Sequence, residues 1–152
     1  MVVMLLISIV MAIAIPRFQG GVFQNPIKKV SRWMINTCRF LRSTAVQKQK
    51  TQALVIDLNN RRMWVINEEM TEEQISAAAD NAFVLPKSIR IVDVQMQGKE
   101  PISSGTAEVH FYPAGYADKV AIHLENDDAD RFSYLIEPLL SKVKFFEEWI
   151  TI

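Results

Sequence analysis

The chain has 152 residues, and its 17 basic and 17 acidic side chains cancel to a formal net charge of zero. This length suffices for one domain with a hydrophobic core. A neutral chain lacks the overall field that draws proteins to nucleic acid or to anionic surfaces. A single cysteine, Cys38, excludes an internal disulfide and a cysteine-rich metal site. Composition therefore indicates one ordinary domain without a polyanionic partner.

The first part of the chain, Met1 to Ile15, carries no charge, and Pro16 and Arg17 follow directly. A helix needs about 20 apolar residues to cross the bilayer core, so this stretch is short for a complete span. It has no polar face, which argues against a buried core helix. A signal peptide is a second interpretation, because Ala12-Ile13-Ala14 imitates a cleavage site, but no basic residue precedes the apolar run. We expect a membrane helix whose beginning lies upstream of Met1.

The next segment has the pattern of an amphipathic helix. Asn25-Pro26 is a helix start, with asparagine as the N-cap and proline at the first helical position. Apolar residues then recur at spacings of three and four: Ile27, Val30, Met34, Cys38, Leu41 and Ala45. This stripe predicts a helix of about six turns with a buried thiol that is no nucleophile. Lysines and arginines occupy the other faces, which we interpret as a solvated surface rather than a nucleic-acid or lipid site.

From Thr51 the apolar period changes to two, which predicts strands. Ala53–Leu58 and Arg62–Ile66 form a hairpin around residues 59–61, and an acidic segment, residues 67–82, leads into a short helix at Glu72–Ala79. Further strands are expected at residues 85–94, 106–112, 120–125, 132–137 and 142–145, the later ones forming a meander. A long helix followed by mostly antiparallel strands predicts an α+β fold with the helix laid on one sheet.

Two pairs of potential metal ligands lie on the predicted outer face of this sheet. If the loop Pro113–Lys119 closes symmetrically, His110 faces His123 and Glu108 faces Glu125. Imidazoles and carboxylates bind zinc and other divalent ions. The same alternation also describes an ordinary solvent-exposed face, and we expect no metal there.

A second acidic pattern has the spacing of a calcium loop: Asn126, Asp128, Asp130 and Glu137. Arg131 stands where that loop needs glycine, and strands rather than helices flank it, so we interpret the segment as a hairpin turn. The sequence contains no glycine-rich phosphate loop, no serine elbow and no paired catalytic carboxylates. We therefore expect neither enzymatic activity nor a cofactor.

Several separated segments resemble one family, the minor pseudopilins of type II secretion and their type IV pilus relatives. Residues 2–16, VVMLLISIVMAIAIP, resemble the mature prepilin N-terminus, including its helix-kinking proline. Five later segments resemble, in the same order, segments of the pseudopilin H group. They are FLRSTAV at 40–46, the predicted strand at 53–58, LP…IR at 85–90, FYPAG at 111–115 and IEPL at 136–139. Thr44 departs from the usual acid, and Leu140-Ser141 departs from the usual Thr-Gly turn.

The resemblance implies a pilin-like fold, in which a long N-terminal helix has a membrane half and an amphipathic half and packs on a mostly antiparallel sheet. It divides the chain into the transmembrane half of the helix, residues 1–21, and a periplasmic pseudopilin domain, residues 22–152. In the family, the processed protein begins with an N-methylated phenylalanine, and a glutamate follows four residues later. Aligned on Pro16, both positions lie upstream of Met1.

The implied function is that of a minor pseudopilin, a structural subunit at or near the tip of the type II secretion pseudopilus that assists protein export across the outer membrane. The subunit would cross the bacterial inner membrane once, be processed by a prepilin peptidase, and then assemble into the periplasmic pseudopilus. Its partners would be other pseudopilins, reached through a membrane and assembly helix formed by Met1, Val2, Val3, Met4, Leu5, Leu6, Ile7, Ile9, Val10, Ile13, Ile15 and Pro16.

Two other functions stay open on the sequence. The first is a minor type IV pilin with a role in pilus assembly, adhesion or DNA uptake. The acidic and aromatic segment Phe145–Trp149 argues against a nucleic-acid partner, which needs an exposed basic patch. The second is a secreted periplasmic binding protein behind a signal peptide, for which the mature chain would begin after Ala14.

Overall fold

The structure is a computed structural model that describes residues 26–152. The predicted membrane half of the helix, residues 1–21, and the predicted N-cap Asn25 lie outside the described residues. Within residues 26–152, no helix combines the length and the apolar character needed to cross a membrane.

Two helices and eight strands make up this part of the chain. They are α1 (Pro26–Lys48), β1 (Gln52–Asp57), β2 (Arg62–Asn67), α2 (Glu72–Asp80), β3 (Phe83–Val84), β4 (Ile89–Met96), β5 (Thr106–Phe111), β6 (Val120–Asn126), β7 (Arg131–Ile136) and β8 (Lys144–Phe146). The strands form two four-stranded antiparallel sheets, ordered β3-β2-β1-β5 and β4-β6-β7-β8. This arrangement confirms the predicted α+β class.

Helix α1 packs against β1 and β5 of the first sheet. The six apolar residues of its predicted stripe are all buried, and Thr44 is buried with them. The helix also reaches the second sheet, because the Ser31 and Tyr134 hydroxyls are 2.6 Å apart. Burial raises the pKa of Tyr134 to about 12, so this hydroxyl stays protonated at the core boundary. The apolar period of the sequence thus correctly identified the face on which the core is built.

The predicted hairpin of β1 and β2 is confirmed, and its register places Asp57 opposite Arg62. Asp57 closes the turn by accepting hydrogen bonds from the backbone N–H and the side-chain amide of Asn60, at 2.9 and 2.8 Å. Burial of this carboxylate raises its pKa, but the hydrogen bonds from Asn60 and the contact with Arg62 outweigh burial. The pKa of Asp57 is therefore lowered from its ordinary value of 3.8.

The prediction of a single sheet is wrong, because β5 and β6 are not neighbours. β5 pairs with β1, whereas β6 pairs with β4 and β7. The segment between them, residues 112–119, crosses from one sheet to the other instead of closing a tight hairpin. The apolar face of β5, formed by Ala107, Val109 and Phe111, is fully buried beside α1. Pairing with β1 places this apolar face of β5 beside the helix.

Two further expectations need correction. The strand predicted at residues 85–94 begins only at Ile89, and Leu85 is a buried residue of the connection that precedes it. His123 of β6, which the sequence predicted on the solvent face, is buried and only 6% exposed. The C-terminal segment that follows β8 lies over this outer face, since Ser133 of β7 donates its hydroxyl to the carbonyl of Glu148 at 2.6 Å.

Candidate assembly surface

The histidines and glutamates considered as metal ligands are not brought together. His110 of β5 lies opposite Ala53, whereas His123 of β6 lies opposite Asp93 and Ser133, so the predicted register is wrong. In the part of the chain that the structure describes, no three His, Cys, Asp or Glu side chains are grouped so as to hold a metal ion.

Each histidine has a separate structural role. His110 contacts Asp118 through its Nδ1, at 3.1 Å from Oδ2, and its backbone N–H donates to the same oxygen at 2.9 Å. The hydroxyl of Tyr112 donates to the other oxygen of Asp118 at 3.1 Å. Glu108 lies 3.6 Å from His110 Nε2, while Glu125 pairs with an arginine of β4 at 3.0 Å. The carboxylate of Asp118 therefore organises the crossover between the two sheets.

His123 holds the C-terminal segment against the second sheet. Its Nδ1 lies 2.7 Å from Asp93 Oδ1, and its Nε2 lies 2.8 Å from the carbonyl oxygen of Ile150. The indole N–H of Trp149 donates to the carbonyl of Leu124 at 3.2 Å. These contacts explain why a residue predicted on the solvent face is buried. No local signal in the sequence announces them, since the partners lie 25 or more positions apart.

The segment with calcium-loop spacing is the turn between β6 and β7, as predicted. The side-chain oxygen of Asn126 accepts the backbone N–H groups of Asp128 and Asp130, at 3.0 and 2.8 Å. Glu137 lies at the far end of β7 and pairs with Lys144 at 3.1 Å. Asn126 is thus engaged by the turn itself, and the twelfth position of the pattern is at the opposite end of the strand.

Cys38 is buried on the inner face of α1 and 4% exposed, as predicted. Burial raises the pKa of its thiol to about 12. Its thiol donates to the thioether sulfur of Met34, at 3.9 Å. A thiol that remains protonated at neutral pH is a packing residue rather than a nucleophile.

Arg42 fastens the end of α1 to two loops that are distant in sequence. Its guanidinium donates to the carbonyls of Gly115 and Pro138 from Nη1, at 3.0 and 2.9 Å, and to the carbonyl of Glu137 from Nη2, at 3.0 Å. Burial lowers the pKa of Arg42. The helix pattern predicted a solvated charge at this position, because nothing in the local sequence distinguishes Arg42 from Arg39. One side chain therefore fixes α1 relative to the crossover and to the β7–β8 loop.

The outer side of α1 carries a set of exposed cations that we call the basic face: Lys28, Lys29, Arg32 and Arg39. Helix α1 contains no acidic residue. Across residues 26–152, no residue of the basic face takes part in an ion pair. The solvated helix surface predicted from the sequence is present, and it is a surface of one sign.

Beside the basic face runs a groove with an aromatic lining, which we call the aromatic groove and define by Trp33, Phe40, Trp64 and Phe83. It lies between α1, β2 and α2 and has a volume of about 380 Å³. Trp33 stacks on Phe83 with ring centroids 4.5 Å apart. Phe40 is 60% exposed. The sequence could not reveal this groove, because its members come from three elements that only the fold brings together.

Residues 26–152 have a pilin-like α+β fold. It is similar to two solved structures of the minor pseudopilin EpsH from the type II secretion system of Vibrio cholerae. One aligns with a TM-score of 0.54 and 11% identity over 79% of this chain and 95% of that chain. The other aligns with a TM-score of 0.55 and 11% identity over 85% of this chain and 99% of that chain. No protein-family model and no curated protein sequence matches the chain. At this identity the similarity establishes the fold, and it agrees with the family that the sequence resembles.

Proposed function

We propose that this protein is a minor pseudopilin, a structural and non-enzymatic subunit at or near the tip of a type II secretion pseudopilus. The main support is a fold similar to that of a minor pseudopilin, in a domain whose helix α1 is separated by ten residues, 16–25, from the apolar stretch Met1 to Ile15. An apolar helix of this kind is stable both in lipid and among other apolar helices. Head-to-tail contacts between such subunits build an open fibre rather than a closed ring.

In this proposal, residues 1–21 anchor the subunit in the bacterial inner membrane and residues 22–152 lie in the periplasm. A prepilin peptidase processes the N-terminus, and the same helix then packs against other pseudopilins in the fibre. The fibre assists the passage of folded proteins across the outer membrane.

The test is an in-frame deletion of the gene in the bacterium that encodes the protein. We expect exported proteins to accumulate in the periplasm, with the outer membrane intact, and a plasmid copy of the full gene to restore export. Copurification of the tagged protein with other pseudopilins, at a small fraction of the amount of the major one, would support a tip position. Normal export in the deletion strain would overturn the proposal.

The same strain separates the other two functions. Loss of surface pili, adhesion or DNA uptake with normal export would identify a minor type IV pilin. A mature N-terminus immediately after Ala14, with the protein free in the periplasm, would identify a secreted binding protein. Mass spectrometry of the mature N-terminus therefore distinguishes a secreted binding protein from a pilin-like subunit independently of the export assay.

A further inference from the structure

The basic face is a set of like charges that form no ion pair with any carboxylate of residues 26–152. Four cations elsewhere in the described domain form ion pairs with carboxylates, among them Lys50 with Glu69 and Arg62 with Asp57. Several like charges on one helix without compensating acids repel one another at modest cost, and they are stabilised when an acidic surface approaches.

The aromatic groove supplies an apolar contact beside these charges. Trp33 and Phe40 are seven residues apart, so they lie on the same side of α1, two turns from each other. Phe40 exposes more than half of its surface, and a large exposed aromatic side chain is the type of residue that anchors protein interfaces. An apolar centre with charges along its border is the usual organisation of a specific interface.

The direction of the basic face indicates the shape of the partner. Its cations extend from Lys28 to Arg39, which is about 16 Å along the helix axis. A bilayer entered along this axis would contact only the first turn of α1. A partner that lies alongside α1 contacts the whole length. The zero net charge of the chain leaves no general attraction to a polyanion such as nucleic acid.

We propose that the basic face and the aromatic groove together bind an acidic amphipathic helix of a neighbouring pilus subunit. Apolar side chains of that helix fill the groove between α1 and α2, and its carboxylates pair with the lysines and arginines of the basic face. This inference rests on the proposed function, and it adds the position and the chemistry of one subunit contact.

The experiment uses the full-length protein in its own bacterium, with a photo-crosslinking amino acid at Asn36, which is exposed and lies between Arg32 and Arg39. We expect a crosslink to another pilus subunit, through a peptide with several acidic residues. The triple variant Lys29→Glu, Arg32→Glu, Arg39→Glu should reduce the crosslink by about tenfold or more. The matched control, Lys87→Glu, Lys99→Glu, Lys142→Glu, makes the same charge change at exposed sites elsewhere and should leave the crosslink unchanged.

A second pair of variants tests the groove without changing charge. Phe40→Ala should weaken the crosslink several-fold, whereas Leu139→Ala, which removes an 83% exposed side chain that does not line the groove, should not. Circular dichroism and thermal unfolding show whether each variant is folded. If the triple charge-reversal variant unfolds, the same three residues are changed to glutamine instead. The yield of the crosslink should then decrease by a smaller factor with each charge that is removed.

Equal crosslinking in the reversed and control variants would overturn the inference. So would crosslinks only to lipid, to nucleic acid or to an exported protein. Measuring protein export in the deletion strain distinguishes a wrong subunit contact from a wrong proposed function. If export requires the gene but the reversed variant restores it fully and crosslinks normally, only the contact proposed here is wrong. If export does not require the gene, the proposed function itself is wrong.

Discussion

Arg42 gives the sharpest test of how this domain is held together. Its three hydrogen bonds join α1 to the crossover loop and to the segment after β7. Within residues 26–152, no other side chain forms hydrogen bonds that connect α1 to both loops. Arg42→Ala removes the donor for all three carbonyls. Arg42→Lys keeps the charge, but a single ammonium cannot reproduce the fork geometry of a guanidinium.

The expected cost follows from the number and setting of these bonds. Hydrogen bonds to a charged group contribute about 1.5 to 3 kcal/mol each when buried. The site is only partly buried, so water can rehydrate the freed carbonyls, and we expect about 1 kcal/mol for each bond. The free energy of unfolding should therefore fall by about 3 kcal/mol in Arg42→Ala and by about half as much in Arg42→Lys.

The assay is urea unfolding of the full chain in a non-ionic detergent, followed by tryptophan fluorescence. At an m-value of about 1.5 kcal/mol/M, Arg42→Ala should lower the midpoint by about 2 M without changing the slope. Arg39→Ala is the matched control, because Arg39 is exposed on the same helix and forms no ion pair in the described domain. A midpoint for Arg42→Ala equal to that of Arg39→Ala would refute the argument.

Three further predictions concern the thiol, the hairpin and the C-terminal segment. Cys38, with its pKa raised to about 12 by burial, should react with a maleimide only in the unfolded protein; rapid labelling in native buffer would contradict this. Because the pKa of Asp57 is lowered by folding, the stability it contributes is present at neutral pH and is lost as the pH falls below its ordinary value of 3.8. Asp57→Asn should therefore flatten the acid side of a stability-against-pH curve, and an unchanged curve would show that the carboxylate is not coupled to folding. Trp149→Ala removes the hydrogen bond to the Leu124 carbonyl and the stacking on Arg131, whose guanidinium carbon lies 4.3 Å from the indole ring centroid. It should cost about 2 kcal/mol and increase hydrogen exchange in β6, and unchanged protection there would contradict the role of the C-terminal segment.

The elements that depend on short-range patterns could be predicted. The stripe of α1 repeats every three to four residues, so its buried face follows from the helix period alone. The hairpin of β1 and β2 has a short polar turn, which fixes its register locally. The turn at Asn126 was likewise identified, because its hydrogen bonds are made within five residues.

Strand partners and the candidate assembly surface could not be predicted in the same way. Alternation in β5 and β6 shows which residues share a face, but it does not say which strand lies alongside, and the connecting segment was too long to decide. The prediction of facing histidines failed for this reason. The role of Arg42 and the aromatic groove could not be predicted, because the residues that contact one another there are far apart in sequence.

The sequence by itself therefore determined the class of fold, the core face of the helix and the local turns, since these depend on periods and on contacts a few residues long. Only the tertiary structure decided that the strands divide into two sheets, that the C-terminal segment covers His123, and that one side of α1 presents cations without an ion pair in residues 26–152 next to an aromatic groove. These features depend on which distant surfaces bury each other. That choice is made by the packing of the whole domain and leaves no local signature.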